Sequence, residues 1–229
     1  MCGRNSLFVA QDDLESRFDA RVVADGGYRP RYNVAPGDGL EVVTNEAPDE
    51  IDRYRWGLIP SWADDPGTGL INARSETAAE KSAFVDAWAA RPCLVLSSGF
   101  YEWQSRNGGP KRPYRVYRED DPAFAMAGIW EVREGEDGAL PCVTILTTDP
   151  NDVMEPIHDR MPVVLPADAE SAWLSAGPDA RADLCRPYPD DDLAAYEIST
   201  RVNDPGHDDP DVIEPLAGEQ SGLDEFGAG

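Results

Sequence analysis

Residues 123–132, "AFAMAGIWEV", decide the fold that the sequence predicts. This short, nearly continuous apolar run is typical of a buried β-strand. Six further apolar or alternating runs follow the same pattern and are separated by Gly, Pro and Asp turns. They are "EVVT" (41–44), "RYRWGLI" (53–59), "CLVLSSG" (93–99), "YRVYR" (114–118), "VTILTT" (143–148) and "MPVVL" (161–165).

Helical patterns are fewer and shorter than the strand patterns. The segment "SETAAEKSAFVDAWAA" (75–90) predicts one helix, with Ser75 as its cap and Phe84, Val85 and Trp88 on its buried face. Weaker helices are predicted in "DLESRFD" (13–19) and "PADAESAWLSA" (166–176). Because strands and helices do not alternate, we expect an α+β protein with a largely antiparallel, barrel-like β-sheet core and short flanking helices.

The length of 229 residues suits one sizeable core. We expect a single domain over residues 1–219 and a disordered tail over residues 220–229. No apolar run reaches membrane-spanning length, and the N-terminus lacks a signal-peptide pattern. These patterns predict a cytoplasmic protein with no membrane contact.

The charge balance is strongly acidic. There are 44 Asp and Glu against 20 Lys and Arg, giving a formal net charge of −24. Such a balance resembles that of proteins from salt-loving organisms, whose acidic surfaces stay hydrated in concentrated salt. It indicates habitat more than function, and most of these acids are expected on a solvated face.

Cysteine usage argues against a zinc site or a disulfide framework, because the four cysteines form no C-x-x-C pair and only two histidines are present. We therefore expect no metal and no cofactor. Cys2 is different from the others. If the start methionine is removed, Cys2 carries an α-amine and a thiol on one residue, and both titrate close to neutral pH.

Several polar residues stand at the edges of strand-like runs, where a scaffold can direct them to a shared cleft. They are Asn33, Asn72, Arg74, Glu102, His158 and Arg160. Each one alone has a structural explanation: Asn72 could cap a helix, Glu102 could pair with an arginine, and His158 could be a loop histidine. Their combination is more informative.

Seven segments carry a family resemblance along most of the chain. They are "MCGR", "YNVAPG", "RWGLIPSW", "INARSET", "GFYEW", "IHDRMPV" and "RVN", in this order. Together they resemble the SRAP family (SOS response-associated peptidase-like proteins), whose members protect abasic sites in single-stranded DNA. The resemblance implies the SRAP fold and a role in DNA damage repair.

Carried over by position, the resemblance implies that Cys2 is the catalytic cysteine, Asn72 and Glu102 an active-site polar pair, and His158 the active-site histidine. It also implies a set of DNA contacts. These are Arg4, Asn33, Pro36, Trp62, Arg74 and Arg160. Two positions depart from the family pattern: Ala63 stands where many members have an aromatic residue, and Gly206 where relatives often have a basic one.

The resemblance also predicts the chemistry. An abasic sugar opens to an aldehyde, the α-amine of Cys2 condenses with it to a Schiff base, and the thiol closes a five-membered thiazolidine. Glu102 would supply the acid and base, and Asn72 would orient Cys2. The predicted partner is single-stranded DNA containing abasic sites, bound by a monomer that needs no cofactor.

Three alternatives remain open from the sequence. Glutamine amidotransferases with an N-terminal cysteine also begin Met-Cys-Gly. A thiol peptidase could use Cys2 and His158 as a dyad. A single-stranded DNA-binding module would need only the aromatic and arginine residues, and it would bind intact and abasic DNA equally.

Overall fold

Two β-sheets and a few short helices make up the protein. The structure, a computed structural model, describes residues 2–63, 67, 69–106, 108–135, 138–189 and 192–216, so the tail expected over 220–229 lies outside the described residues. The strands are β1 (Arg4–Leu7), β2 (Arg21–Val22), β3 (Arg31–Val34), β4 (Gly39–Thr44), β5 (Glu50–Trp56), β6 (Asn72–Arg74), β7 (Pro92–Ser97), β8 (Gly99–Gln104), β9 (Arg112–Arg118), β10 (Phe124–Gly135), β11 (Gly138–Thr148), β12 (Met161–Pro162), β13 (Val164–Leu165) and β14 (Leu193–Glu197). The α-helices are α1 (Gln11–Phe18), α2 (Ser75–Ala78), α3 (Val85–Ala90), α4 (Ala167–Ser175) and α5 (Pro178–Ala182), and 3₁₀ helices span Thr200–Asn203 and Pro210–Ile213.

The larger sheet closes on itself. Its strands follow the order β12-β11-β10-β7-β4-β5-β2, and β11 also pairs with β5 through Cys142–Arg55 and Val143–Trp56. The strands β11, β10, β7, β4 and β5 therefore form a closed ring. Pairing around this ring is antiparallel except between β11 and β5. The predicted barrel-like, largely antiparallel core with short flanking helices is confirmed.

The smaller sheet has the order β14-β9-β8-β1-β3 and is antiparallel throughout. In it, β1 lies between β8 and β3, and Arg4 is opposite Tyr101. One step beyond that pair, the same register brings Gly3 alongside Glu102. The first residues of the chain are thus held next to the strand that carries the predicted catalytic acid.

The apolar run that predicted the fold forms strand β10 of the barrel, between β11 and β7. Its residues Phe124 to Met126 are completely buried. A Cβ on Gly128 would lie 2.8 Å from Val95 Cγ2 and 2.9 Å from Cys93 Sγ, closer than such contacts occur. Only glycine lets β10 and β7 approach each other here.

The helix predicted over 75–90 is wrong as a single element. Residues Asn72–Arg74 form a strand that pairs with β11, and α2 follows directly as Ser75–Ala78. Arg74, not Ser75, occupies the N-cap position. The chain then turns, with the Phe84 N–H donating to the Lys81 carbonyl, before α3 begins. Phe84 and Trp88 are buried as expected, whereas Val85 is 37% exposed.

Two strand predictions also need correction at their ends. The run 161–165 forms two strands, because β12 pairs with β11 while β13 pairs with β10. The run 53–59 ends as a strand at Trp56, because Gly57 adopts a φ of 129°. The predicted helices around Leu14 and Trp173 are present as α1 and α4. No helix in the described ranges is long and apolar enough to cross a membrane.

Candidate functional site

The four residues predicted to be catalytic meet where the two sheets come together. Cys2 precedes β1, and Glu102 lies on β8 of the same sheet. Asn72 is on β6, which joins the barrel by pairing with β11. His158 lies in the segment between β11 and β12. Residues far apart in sequence therefore supply one site.

Cys2 is fully buried and is held through its backbone. The Asn72 side-chain amide donates a 2.7 Å hydrogen bond to the Cys2 carbonyl. The Cys2 thiol donates to the Arg4 carbonyl with a separation of 3.7 Å. Burial, followed by the nearby charge of Glu102, raises the pKa of the Cys2 thiol. The thiol is thus protonated at neutral pH, and a base is needed to activate it.

Asn72 has a second polar atom in the site. Its Oδ1 is buried and accepts no hydrogen bond from any described residue. Because Nδ2 is already committed to Cys2, Oδ1 remains as an acceptor for an amine or a hydroxyl that enters the site. The pairing of Asn72 with Ile145 on β11 fixes the backbone from which both atoms project.

Glu102 is 1% exposed, and this burial raises the pKa of its carboxyl from 4.5 to about 7. A carboxyl group in water would be fully ionised at pH 7. Here both the acid and the carboxylate are populated near neutral pH, which is the property of an effective general acid and base.

His158 faces Glu102 with its Nε2 4.0 Å from Glu102 Oε2. The backbone N–H of Arg160 donates to His158 Nδ1 at 3.0 Å, which places the proton of a neutral imidazole on Nε2. Burial lowers the pKa of His158, whereas the Asp159 carboxylate, 2.8 Å from Nδ1, acts in the opposite direction. Asp159 is 87% exposed and therefore screened by water, so we assign the neutral form.

Three of the predicted DNA contacts lie on the surface. Pro36 and Arg74 are exposed, and Trp62 is 62% exposed with its indole N–H 3.4 Å from the Ser82 carbonyl. Arg74 lies two residues beyond Asn72 on the same strand. Their contacts with DNA remain predictions, and Arg74 offers a cation next to the site. Ala63, the first departure from the family pattern, is half-buried.

Arg4 and Asn33 are engaged inside the protein. The Arg4 guanidinium donates to Asn33 Oδ1 at 2.7 Å, to the Asn203 carbonyl at 3.0 Å and to the Val202 carbonyl. Asn33 is fully buried, and its Nδ2 donates to the carbonyls of Val202, Asp204 and His207. Together they fasten the "RVN" segment to β1 and β3, and the predicted contact of either residue with DNA remains a prediction.

Arg160 is likewise occupied. Its guanidinium forms a bidentate ion pair with the Glu76 carboxylate, with N–O distances of 2.7 and 2.9 Å. It also donates to Asp149 Oδ1 and to the Thr147 carbonyl, each at 2.8 Å. The exposed fraction of the Arg160 side chain is 11%. The predicted contact of Arg160 with DNA also remains a prediction.

Sequence reasoning missed three residues that frame the site. Glu76 binds Arg160, the Gln104 amide donates to the Pro156 carbonyl at 2.8 Å, and the Trp103 indole donates to Asn203 Oδ1 at 2.8 Å. Glu76 and Trp103 lie inside the segments "INARSET" and "GFYEW", which was the only signal available for them. In the described ranges, no group of three or more His, Cys, Asp or Glu residues is arranged to hold a metal ion.

Comparison with known proteins identifies the family. The family model described as SOS response associated peptidase (SRAP) matches residues 1–205. The chain belongs to the SRAP family.

SRAP relatives cover nearly the whole chain. The abasic site processing protein YoqW of Bacillus subtilis is 39% identical over 222 residues, which are 93% of this chain and 99% of the relative. The abasic site processing protein HMCES of Xenopus tropicalis is 30% identical over 261 residues, 93% of this chain and 78% of the relative. A crystal structure of a Bacteroides thetaiotaomicron protein superposes with a TM-score of 0.84 at 28% identity, covering 93% of this chain and 99% of that one. The predicted family is thus confirmed.

Proposed function

We propose that this protein captures abasic sites in single-stranded DNA by forming a covalent thiazolidine with Cys2, after removal of Met1. The relatives named above are abasic site processing proteins. The observation that carries the proposal is the burial of Cys2 beside Glu102, a carboxyl group whose pKa of about 7 suits proton transfer in both directions.

The reaction proceeds in three steps. Protonation of the ring oxygen and loss of the hydroxyl proton open the abasic sugar to its aldehyde. The Cys2 amine nitrogen then attacks the aldehyde carbon, and loss of one water leaves an imine. The Cys2 sulfur finally adds to the imine carbon while the thiol proton moves to the nitrogen. The net change is one C–N bond, one C–S bond and one released water, without oxidation or reduction.

Each neighbouring residue has a role in these steps. Protonated Glu102 donates to the ring oxygen and to the departing water, and its carboxylate then accepts the proton of the Cys2 thiol and passes it to the nitrogen. Asn72 holds the Cys2 backbone and offers Oδ1 to the amine. Neutral His158 supports the proton transfers of Glu102 through its Nε2–H.

The geometry favours capture over the peptidase alternative. A thiol–imidazole dyad needs the ring nitrogen of His158 directed at the Cys2 sulfur. Here Nε2 lies beside Glu102, and the Cys2 thiol donates to the Arg4 carbonyl. We therefore assign His158 to proton transfer with Glu102. As working expectations, the protein acts as a monomer in the cytoplasm and associates with the nucleoid on damaged DNA.

Crosslinking to defined oligonucleotides tests the proposal. Purified protein is incubated with single strands that carry an abasic site, an intact base at the same position, or a tetrahydrofuran analogue that cannot form an aldehyde. We expect a band that survives denaturation only with the true abasic strand. Mass spectrometry should give the sum of the protein lacking Met1 and the DNA, less one water. Equal, purely noncovalent binding to all three strands would instead support a simple DNA-binding module.

A further inference from the structure

The segment between β11 and β12 carries His158 and is fastened to the rest of the protein at several points. Asn151 donates through Nδ2 to the Tyr188 carbonyl at 3.0 Å and accepts the N–H of Met154 on Oδ1 at 3.0 Å. The Gln104 amide from β8 donates to the Pro156 carbonyl. The last and most heavily bonded point is Arg160, immediately before β12.

Arg160 links His158 to two elements at once. Its backbone N–H holds His158 Nδ1, while its guanidinium contacts the Thr147 carbonyl on β11 and both carboxylate oxygens of Glu76 on α2. The element α2 directly follows β6, the strand of Asn72. A movement of the Glu76–Arg160 pair would therefore change the position of His158 relative to Asn72 and Cys2.

We propose that the Glu76–Arg160 ion pair positions His158 for proton transfer, so that both residues act through His158 and not as ligands of DNA. The inference rests on the function proposed above. A planar guanidinium with two parallel hydrogen bonds to one carboxylate fixes orientation as well as distance, and lysine cannot reproduce this geometry.

Local charge argues against a phosphate contact by Arg160, whose Nη1 and Nη2 are already bonded and whose Nε is buried without a partner among the described residues. Two carboxylates, Glu76 and Asp149, already contact its guanidinium and compensate its charge, while Arg74 also lies near enough to interact with Glu76. A phosphate would have to displace one of these carboxylates from a mostly buried cation. Asp149 is 78% exposed and thus screened, whereas Glu76 makes the two-pronged contact, so Glu76 is the partner to test.

The test measures single-turnover capture of an abasic strand and, separately, the affinity for the same strand with an intact base. Glu76→Gln and Arg160→Lys should each slow capture about tenfold, since misplacing a proton-transfer group has costs of this order or larger. Neither should weaken binding of the intact strand. Glu170→Gln is the control, because Glu170 on α4 makes the same bidentate contact with Arg17 on α1.

The two hypotheses predict opposite results for Glu76→Gln. If Arg160 grips phosphate, removing the competing negative charge frees it, and binding and capture improve. Arg160→Lys would then keep most of its function, because the charge is retained. If Arg160 acts through His158, both variants lose rate at unchanged affinity. Capture by Glu76→Gln at the rate of Glu170→Gln or faster would overturn the proposal.

A double-mutant cycle with His158→Ala completes the test. Glu76→Gln should cause no further loss in a His158→Ala protein, because the group that it positions is absent. Additive losses would show that Glu76 acts independently of His158, and an unchanged rate for His158→Ala alone would leave nothing to position. Either result rejects the proposal.

If circular dichroism shows that Arg160→Lys does not fold, the result for Glu76→Gln decides. This change is isosteric, and the Glu76 side chain is 46% exposed. Wild-type protein that fails to capture abasic DNA contradicts the proposed function itself.

Discussion

The side-chain amide of Asn72 donates a hydrogen bond of 2.7 Å to the backbone carbonyl of Cys2. A strand attached to the barrel thereby fixes a residue that belongs to the smaller sheet. The thiol and the nitrogen of Cys2 remain outside this bond. Asn72 thus restrains the backbone of Cys2 without occupying the two groups that are proposed to react.

Asn72→Ala should slow capture of an abasic strand by about tenfold, because Cys2 loses its anchor and part of its orientation. Asn72→Asp should be slower still, since a carboxylate would repel both the Cys2 carbonyl and Glu102. Single-turnover crosslinking measures both rates, with circular dichroism to show that the domain is folded. An Asn72→Asp protein faster than Asn72→Ala would contradict this role.

A protein with a retained N-terminal extension should fold normally and form no adduct, because a Schiff base of this kind needs a free α-amine on Cys2. Cys2→Ala should also lose the stable adduct, but its amine remains and should be trapped on abasic DNA by borohydride. Gel electrophoresis with and without borohydride distinguishes the two. Crosslinking by the extended protein at the normal rate would disprove the thiazolidine mechanism.

Glu102→Gln should slow capture by about one hundred to ten thousand fold, the usual contribution of a positioned acid or base. The wild-type rate should be highest between about pH 7 and 8, because the α-amine is protonated below this range and Glu102 is ionised above it. The alkaline decline should be absent in Glu102→Gln. Rates measured from pH 5 to 9 test this, and matching profiles would remove Glu102 from the mechanism.

Glu102→Gln should also remove a pH dependence of folding stability that the wild-type protein shows. Burial raises the pKa of Glu102 from 4.5 to about 7, so between these values the folded state binds more protons than the unfolded state. Unfolding free energy therefore falls as pH rises through this window. Relative to Glu102→Gln, wild type should lose about 2 kcal/mol between pH 5 and 8. Denaturant titrations at the two pH values measure the difference, and parallel stabilities would contradict the raised pKa.

The net charge of −24 should make capture tolerant of salt. At about 1 M salt the Debye length is roughly 3 Å, so distant acids no longer repel DNA, while counterion release weakens each phosphate contact. Because acids far outnumber the cations, of which Arg74 and Lys111 are near the site, the two effects should give a shallow or inverted salt dependence. Capture rates from about 0.1 to 3 M potassium chloride test this. A steep loss of rate by folded protein would indicate a broad basic groove.

Part of the architecture could be predicted from sequence because it depends on local patterns. The buried runs of β7, β10 and β11 are apolar enough to be recognised without knowledge of their partners. The break between α2 and α3 could not be seen, because the pattern around Phe84 and Trp88 fits one helix. At the break the Phe84 N–H donates to the Lys81 carbonyl, and Trp88 of α3 packs against Trp173 with the ring centroids 6.1 Å apart.

The four residues predicted for the site lie close together in the structure, but the contacts that connect them could not be predicted from sequence. Cys2, Asn72, Glu102 and His158 lie in motifs whose order along the chain carries the family resemblance. The ion pair between Glu76 and Arg160 joins residues 84 positions apart, and no periodicity marks such a pair. Likewise, only the structure shows that Arg4 and Asn33 fasten a distant segment.

The closure of the barrel by β11 on β5 has a consequence for synthesis of the protein. Cys2 leaves the ribosome early, but Glu102, β11 and His158 follow 100 to 156 residues later. At roughly 5 to 20 residues per second, translation takes on the order of ten seconds to supply the rest of the site. Until then Cys2 lacks the buried environment that these residues complete. The proposed site therefore assembles only after residue 158 has been synthesised, and shorter nascent chains carry Cys2 without the residues proposed to act with it.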